Sequence, residues 1–120
     1  MKRVMLIAAL PLLLAAAPAG ARGGCDDAQD QNTMNQCAAA DYARADAELN
    51  RVYKQVMAGL DEHSQMLLKN AQRDWIKFRD DECMYQNAQN EGGSIYPLVY
   101  NGCLTTLTKA RTQQLQQGQN

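Results

Sequence analysis

A chain of 120 residues with 12 Lys and Arg against 13 Asp and Glu forms one domain. It is too evenly charged to bind nucleic acid or an anionic membrane surface, both of which need concentrated positive charge. Four cysteines separated by gaps of 12, 46 and 20 residues, with no C-x-x-C and a single histidine, do not have zinc-site spacing. Nothing pairs a histidine with a nucleophile and no Gly-rich phosphate loop is present, so neither an enzyme nor a cofactor-binding protein is expected.

Residues 1–21 read as a secretory leader. Lys2 and Arg3 precede the apolar run "VMLIAALPLLLAAA", and "APAGA" offers small residues for cleavage after Ala19 or Ala21. The run falls short of the roughly 20 apolar residues that span a bilayer, and Pro11 interrupts it, so no stable membrane anchor is expected. Arg22, Gly23 and Gly24 before Cys25 also depart from a lipid-attachment box. Loss of Lys2 and Arg3 leaves ten basic residues against 13 acidic ones, a net charge of −3, which favours a basic partner. The expected location is periplasmic or secreted, where four cysteines suggest two disulfides.

Residues 22–33, "RGGCDDAQDQNT", read as an irregular arm held by Cys25. Thr33 with Gln36 resembles a capping box, and Ala38, Tyr42, Ala45, Leu49, Val52, Tyr53, Val56, Met57 and Leu60 then recur at steps of three and four, which predicts a helix over 34–59. Met66, Leu67, Leu68, Ala71, Trp75, Ile76, Phe78 and Cys83 carry a second helix over 62–89, ended by "NEGGS" at 90–94. Pro97 suits a first turn, and Pro97, Tyr100, Leu104, Leu107, Arg111 and Leu115 line a third helix over 96–116. Short connections make this an all-α, three-helix antiparallel bundle, and residue levels along it place Cys83 opposite Cys103 and Arg111 opposite Trp75. Cys25 and Cys37 are then left to tie the arm to helix one, although Cys37 also lies level with residue 85 and four cysteines allow three connectivities.

The apolar stripe of helix two also carries Gln72, Arg79 and Glu82, at about 100° per residue. Asp46, Trp75, Arg79 and Arg111 converge on one layer of the bundle, with Glu82 one turn away. Two readings follow: a mutually satisfied network that fixes helix register, or a polar cleft presented to a ligand. The adjacent Asp80 and Asp81 diverge on a helix and read as solvated, as does His63.

The stretches "CAAADYARADAELNRVYKQVM", "LLKNAQRDWIKFRDDEC", "GGSIYP" and "CLTTLTKARTQQL" resemble, in that order, the lysozyme inhibitor LprI-like (LprI N-terminal domain) family of small bacterial envelope proteins. The resemblance runs from about Cys25 to Leu115. It implies a helical, disulfide-bonded exported protein that binds a protein partner, a basic lysozyme. The segment expected to meet that partner is the turn Gly92, Gly93, Ser94, Ile95, Tyr96, rich in glycine with a hydroxyl and an aromatic ring. The alternative is a periplasmic helical adaptor or stress protein without lysozyme contact.

Overall fold

The structure, a computed structural model, describes residues 27–118. The leader, Cys25 and the pairing of Cys25 with Cys37 therefore lie outside the described residues. Within them the chain forms α1 (Gln31–Ala58), α2 (Glu62–Gln86), a 3₁₀ turn (Ala88–Asn90) and α3 (Tyr96–Gln117), with no strand.

Carboxylates set the first two helix starts. Asp30 caps α1, its Oδ2 accepting from the Thr33 amide at 3.3 Å and the Thr33 hydroxyl at 2.6 Å. Thr33 is thus the third residue inside the helix rather than its cap. A carboxylate at this position satisfies an otherwise unpaired N–H and faces the positive end of the helix dipole. Asp61 does the same for α2, accepting from the Ser64 amide at 2.7 Å. The backbone and side-chain hydrogen bonds from Ser64 hold its carboxyl below the ordinary aspartate value. Pro97 sits in the first turn of α3, where its missing N–H costs nothing.

Three helices share a small apolar core. Ala38, Ala45, Leu49, Val52 and Val56 of α1 are buried at heptad-like steps, and Leu104, Thr108, Thr112 and Leu115 are buried on α3. Leu49, Val52, Val56 and Leu115 form its centre, with Tyr53, Leu60, Leu68 and Trp75 against them. Alanines and threonines at this seam let the two backbones approach, and α1 and α3 are the most closely associated pair. Thr108 and Thr112 displace Leu107, half-buried, from the seam predicted for α3. The Thr112 hydroxyl donates to the Thr108 carbonyl at 3.1 Å, so this polarity is satisfied inside the helix.

α2 is built differently. Its buried residues are Gln72, Arg79 and Cys83, with no aliphatic side chain among them. Met66, Leu67, Ala71, Ile76 and Phe78, which the apolar pattern assigns to the helix's core-forming set, are exposed instead. Long inward side chains at Gln72, Trp75 and Arg79 fill the space between α2 and the α1–α3 pair, leaving no inward room for a second apolar row. The Cys83–Cys103 disulfide joins α2 to α3 with a Cα separation of 5.6 Å, at the level the sequence assigns. Gln65 Nε2 donates to the Met57 carbonyl at 2.8 Å across the first turn.

Candidate functional site

Arg79 is the hub of the polar layer. Its side chain is 7% exposed, yet its guanidinium meets two carboxylates that are each 39% exposed: Asp46 at 3.5 Å from Nη1 and Asp80 at 3.0 Å from Nε. Nη1 also lies 3.4 Å from the Thr108 hydroxyl oxygen. The guanidinium carbon stands 5.3 Å from the ring centres of both Tyr42 and Trp75. α1, α2 and α3 thus each supply a partner to one planar cation, the arrangement that arginine's fork and polarizable face suit and lysine's point charge does not.

Arg111 is placed in the same layer but is held otherwise. Its Nε donates to Gln72 Oε1 at 2.9 Å, Nη1 to Gln114 Oε1 at 3.3 Å, and its guanidinium carbon lies 5.9 Å from the Trp75 ring. Burial with no carboxylate alongside pushes its pKa below the ordinary arginine value. The expected neutralisation among Asp46, Arg79 and Arg111 is therefore divided: Asp46 and Asp80 serve Arg79, while neutral amides and the indole serve Arg111. Glu82 is half-buried and accepts from Gln86 Nε2 at 3.0 Å along its own helix, outside the arginine layer. Asp80 takes the acidic role that the sequence pattern gave to Glu82, because an arginine folds back far enough to reach the carboxylate of its chain neighbour. Asp81 stays exposed and pairs with Lys77 at 2.6 Å.

Tyr42 and Tyr100 border this layer. Burial raises both phenols above the ordinary tyrosine value; for Tyr42 the nearby Arg79 opposes the rise, and for Tyr100 the neighbouring Asp80 adds to it. Among the described residues no buried side-chain nitrogen or oxygen lacks a hydrogen-bond partner. The buried polar atoms of this layer are thus satisfied by one another, as in a network that fastens the three helices together.

The loop between α2 and α3 is the contrasting feature. Gly92, Gly93, Ser94 and Ile95 are all exposed. Their base is fixed by Asn87, which is 0% exposed: its Nδ2 donates to the Tyr96 carbonyl at 2.9 Å and its Oδ1 accepts from Asn90 Nδ2 at 2.7 Å. Backbone bonds from Asn90 to Asn87, Gly93 to Asn90 and Tyr96 to Gly93 wind the segment tightly. Asn35 of α1 donates to the Ser94 carbonyl at 2.9 Å, tying the tip to the far helix. Gly92 adopts φ 77°, a conformation that favours glycine. Tyr96 does not belong to the projecting tip: it is half-buried at the start of α3 and stacks on Tyr100 at 5.7 Å. Asn35, Asn87 and Asn90 escaped the sequence reading; the signal for Asn87 and Asn90 is asparagine shortly before a Gly-Gly break, a common turn composition, and Asn35 on α1 carries none.

His63 is exposed at the other end of α2, in a concavity with Met57 and Met66. Among the described residues no group of His, Cys, Asp and Glu could hold a metal ion, and no helix is long and apolar enough to cross a membrane.

The family described as Lysozyme inhibitor LprI matches residues 25–115. The chain belongs to the LprI family. It is 39% identical over 122 residues to "Uncharacterized protein R02472" of Rhizobium meliloti (strain 1021), covering 88% of each chain. It is 29% identical over 106 residues to "Uncharacterized protein YecT" of Escherichia coli (strain K12), covering 76% of this chain and 65% of that one. No solved structure matches it. Asp46, Trp75, Arg79, Asp80, Arg111 and the loop Gly92–Ile95 all fall inside the segment matched to the LprI family.

Proposed function

We propose that this LprI-family chain is an exported inhibitor that binds a cationic lysozyme and does no chemistry itself. In this reading residues 1–21 are removed on export, and the Cys25–Cys37 bridge ties the arm to α1. The observation that carries it is the pre-ordered, exposed loop Gly92–Ile95 at the end of a bundle whose interior polarity is already satisfied. A muramidase cleft holds two carboxylates across a sugar-binding groove, so an inhibitor needs a narrow, uncharged projection. Gly92, Gly93, Ser94 and Ile95 have that character, and their hydrogen-bonded base lowers the ordering cost of binding. The net charge of −3 left after export adds electrostatic steering toward a basic enzyme.

The test is an inhibition titration in a peptidoglycan-clearing assay with the oxidised protein and a cationic c-type lysozyme. The expected result is stoichiometric inhibition, abolished by Ser94→Trp, whose exposed position leaves the bundle intact. Inertness of the wild-type protein at micromolar concentration would refute the reading and leave the adaptor alternative.

A further inference from the structure

α2 is turned inside out relative to an ordinary amphipathic helix. Six of the seven large apolar side chains exposed among the described residues are on it: Met66, Leu67, Ile76, Phe78, Met84 and Tyr85, the last 77% exposed. Three of them, Leu67, Phe78 and Tyr85, fall on one line along the helix, while Met66 and Met84 lie about 100° from that line and Ile76 on the opposite side. Leu67, Ala71, Asp74, Phe78, Asp81 and Tyr85 follow one another at alternate steps of four and three, a second heptad seam about 27 Å long and roughly 140° around the helix from the buried Gln72, Arg79 and Cys83. Large exposed apolar side chains repeating in line at heptad-like spacing are the pattern by which a helix face meets a partner.

Its charges identify the occupant. The charged residues within the seam, Asp74 and Asp81, are both acidic, and Glu82 lies at its edge. Asp74 has no ion pair or side-chain hydrogen bond among the described residues, and Asp81 is met only by the exposed Lys77. Lys69 and Arg73 lie on another face, about 120° or more away at roughly 100° per residue. A second copy seated here would bring carboxylates toward carboxylates in a water-excluded contact, which is unfavourable. A cationic face with apolar side chains between its lysines and arginines fits both features. The seam also ends at Tyr85, two residues before the Asn87 that anchors the Gly92–Ile95 loop.

We propose that this outer face of α2 is the surface that holds the lysozyme, while the loop beyond its end obstructs the cleft. This rests on the proposed function and divides it into an affinity-bearing helix face and a blocking loop. The experiment is calorimetric titration of the oxidised protein with the cationic c-type lysozyme of egg white, at low and high salt, beside the clearing assay. Four forms accompany the wild type: Phe78→Ser with Tyr85→Ser, Asp74→Lys with Asp81→Lys, Ser94→Trp, and the off-face control Arg73→Ser. Each face pair should weaken binding about tenfold or more, as loss of central interface contacts does. The charge-reversed pair should in addition lose the salt dependence of binding. Ser94→Trp should keep binding and lose inhibition, and Arg73→Ser should match the wild type. If both face pairs bind and inhibit like the wild type, this inference falls and the proposed function stands. If the wild type itself neither binds nor inhibits, both fall.

Discussion

The two contacts that assemble this bundle obey different physics. Between α1 and α3, small and aliphatic residues bring the backbones close and exclude water. Between α2 and that pair, a stacked arginine, a glutamine and a cystine carry the buried contact, with only the half-buried Leu68 and Trp75 of α2 reaching the apolar centre. The first is non-directional and its strength scales with buried area; the second is directional and fails when one atom group is removed. The difference shows how a small domain can leave apolar residues of a helix outside: polar and covalent bonds hold α2 beside the packing of Leu68 and Trp75, so Leu67, Phe78 and Tyr85 are not needed inside.

This contrast can be broken at several points. The largest effect is expected from Leu49→Ala, which opens a cavity at the centre of the α1–α3 seam and should cost about 3 kcal/mol, with all helices lost together in urea. Reduction of Cys83–Cys103, or its replacement by serines, should cost about 3 kcal/mol by the loop-closure argument for a separation of 20 residues. Its signature is regional: amide exchange should quicken along α2 before α1. Arg79→Ala should cost about 2 kcal/mol in thermal melts, below the usual figure for a broken buried pair because Asp46 and Asp80 are each 39% exposed and can be hydrated. Arg79→Lys should recover less than half of that, since it restores charge without the fork or the ring contacts.

The smallest effect concerns alkaline pH. Burial raises the folded-state pKa of Tyr42 and Tyr100 above the ordinary 10.0, so the stability they contribute is complete below that value. It is lost as pH rises through their folded values, because the unfolded chain gives up these protons first. Tyr42→Phe should flatten the loss of melting temperature above pH 10, and an unchanged slope would refute the assignment.

How much was legible in advance depended on whether a feature lives in periodicity or in reach. Helix order, the level of Cys83 with Cys103 and the inward aim of Arg79 follow from steps of three and four and short connections, so they could be read. Asp80 could not, because angular position says nothing of an arginine side chain bending back to its own neighbour. The start of α1 was misplaced because Thr33 and Gln36 fit a capping template that the stronger acceptor Asp30 overrides. Asn87 was invisible as a single amide at a helix end; its burial follows from the closure of the whole loop. The exposed seam of α2 was missed for a general reason: apolar residues are presumed to face inward, and only coordinates show that Trp75 and Arg79 had already taken the interior.

The chain has one tryptophan, Trp75, and two guanidinium groups flank its indole, that of Arg79 at 5.3 Å and that of Arg111 at 5.9 Å. Its emission is therefore an intrinsic optical gauge of whether α2 remains seated. A shift toward longer wavelength would register undocking of that helix, in real time and without a label, during reduction, alkaline titration or capture of a partner.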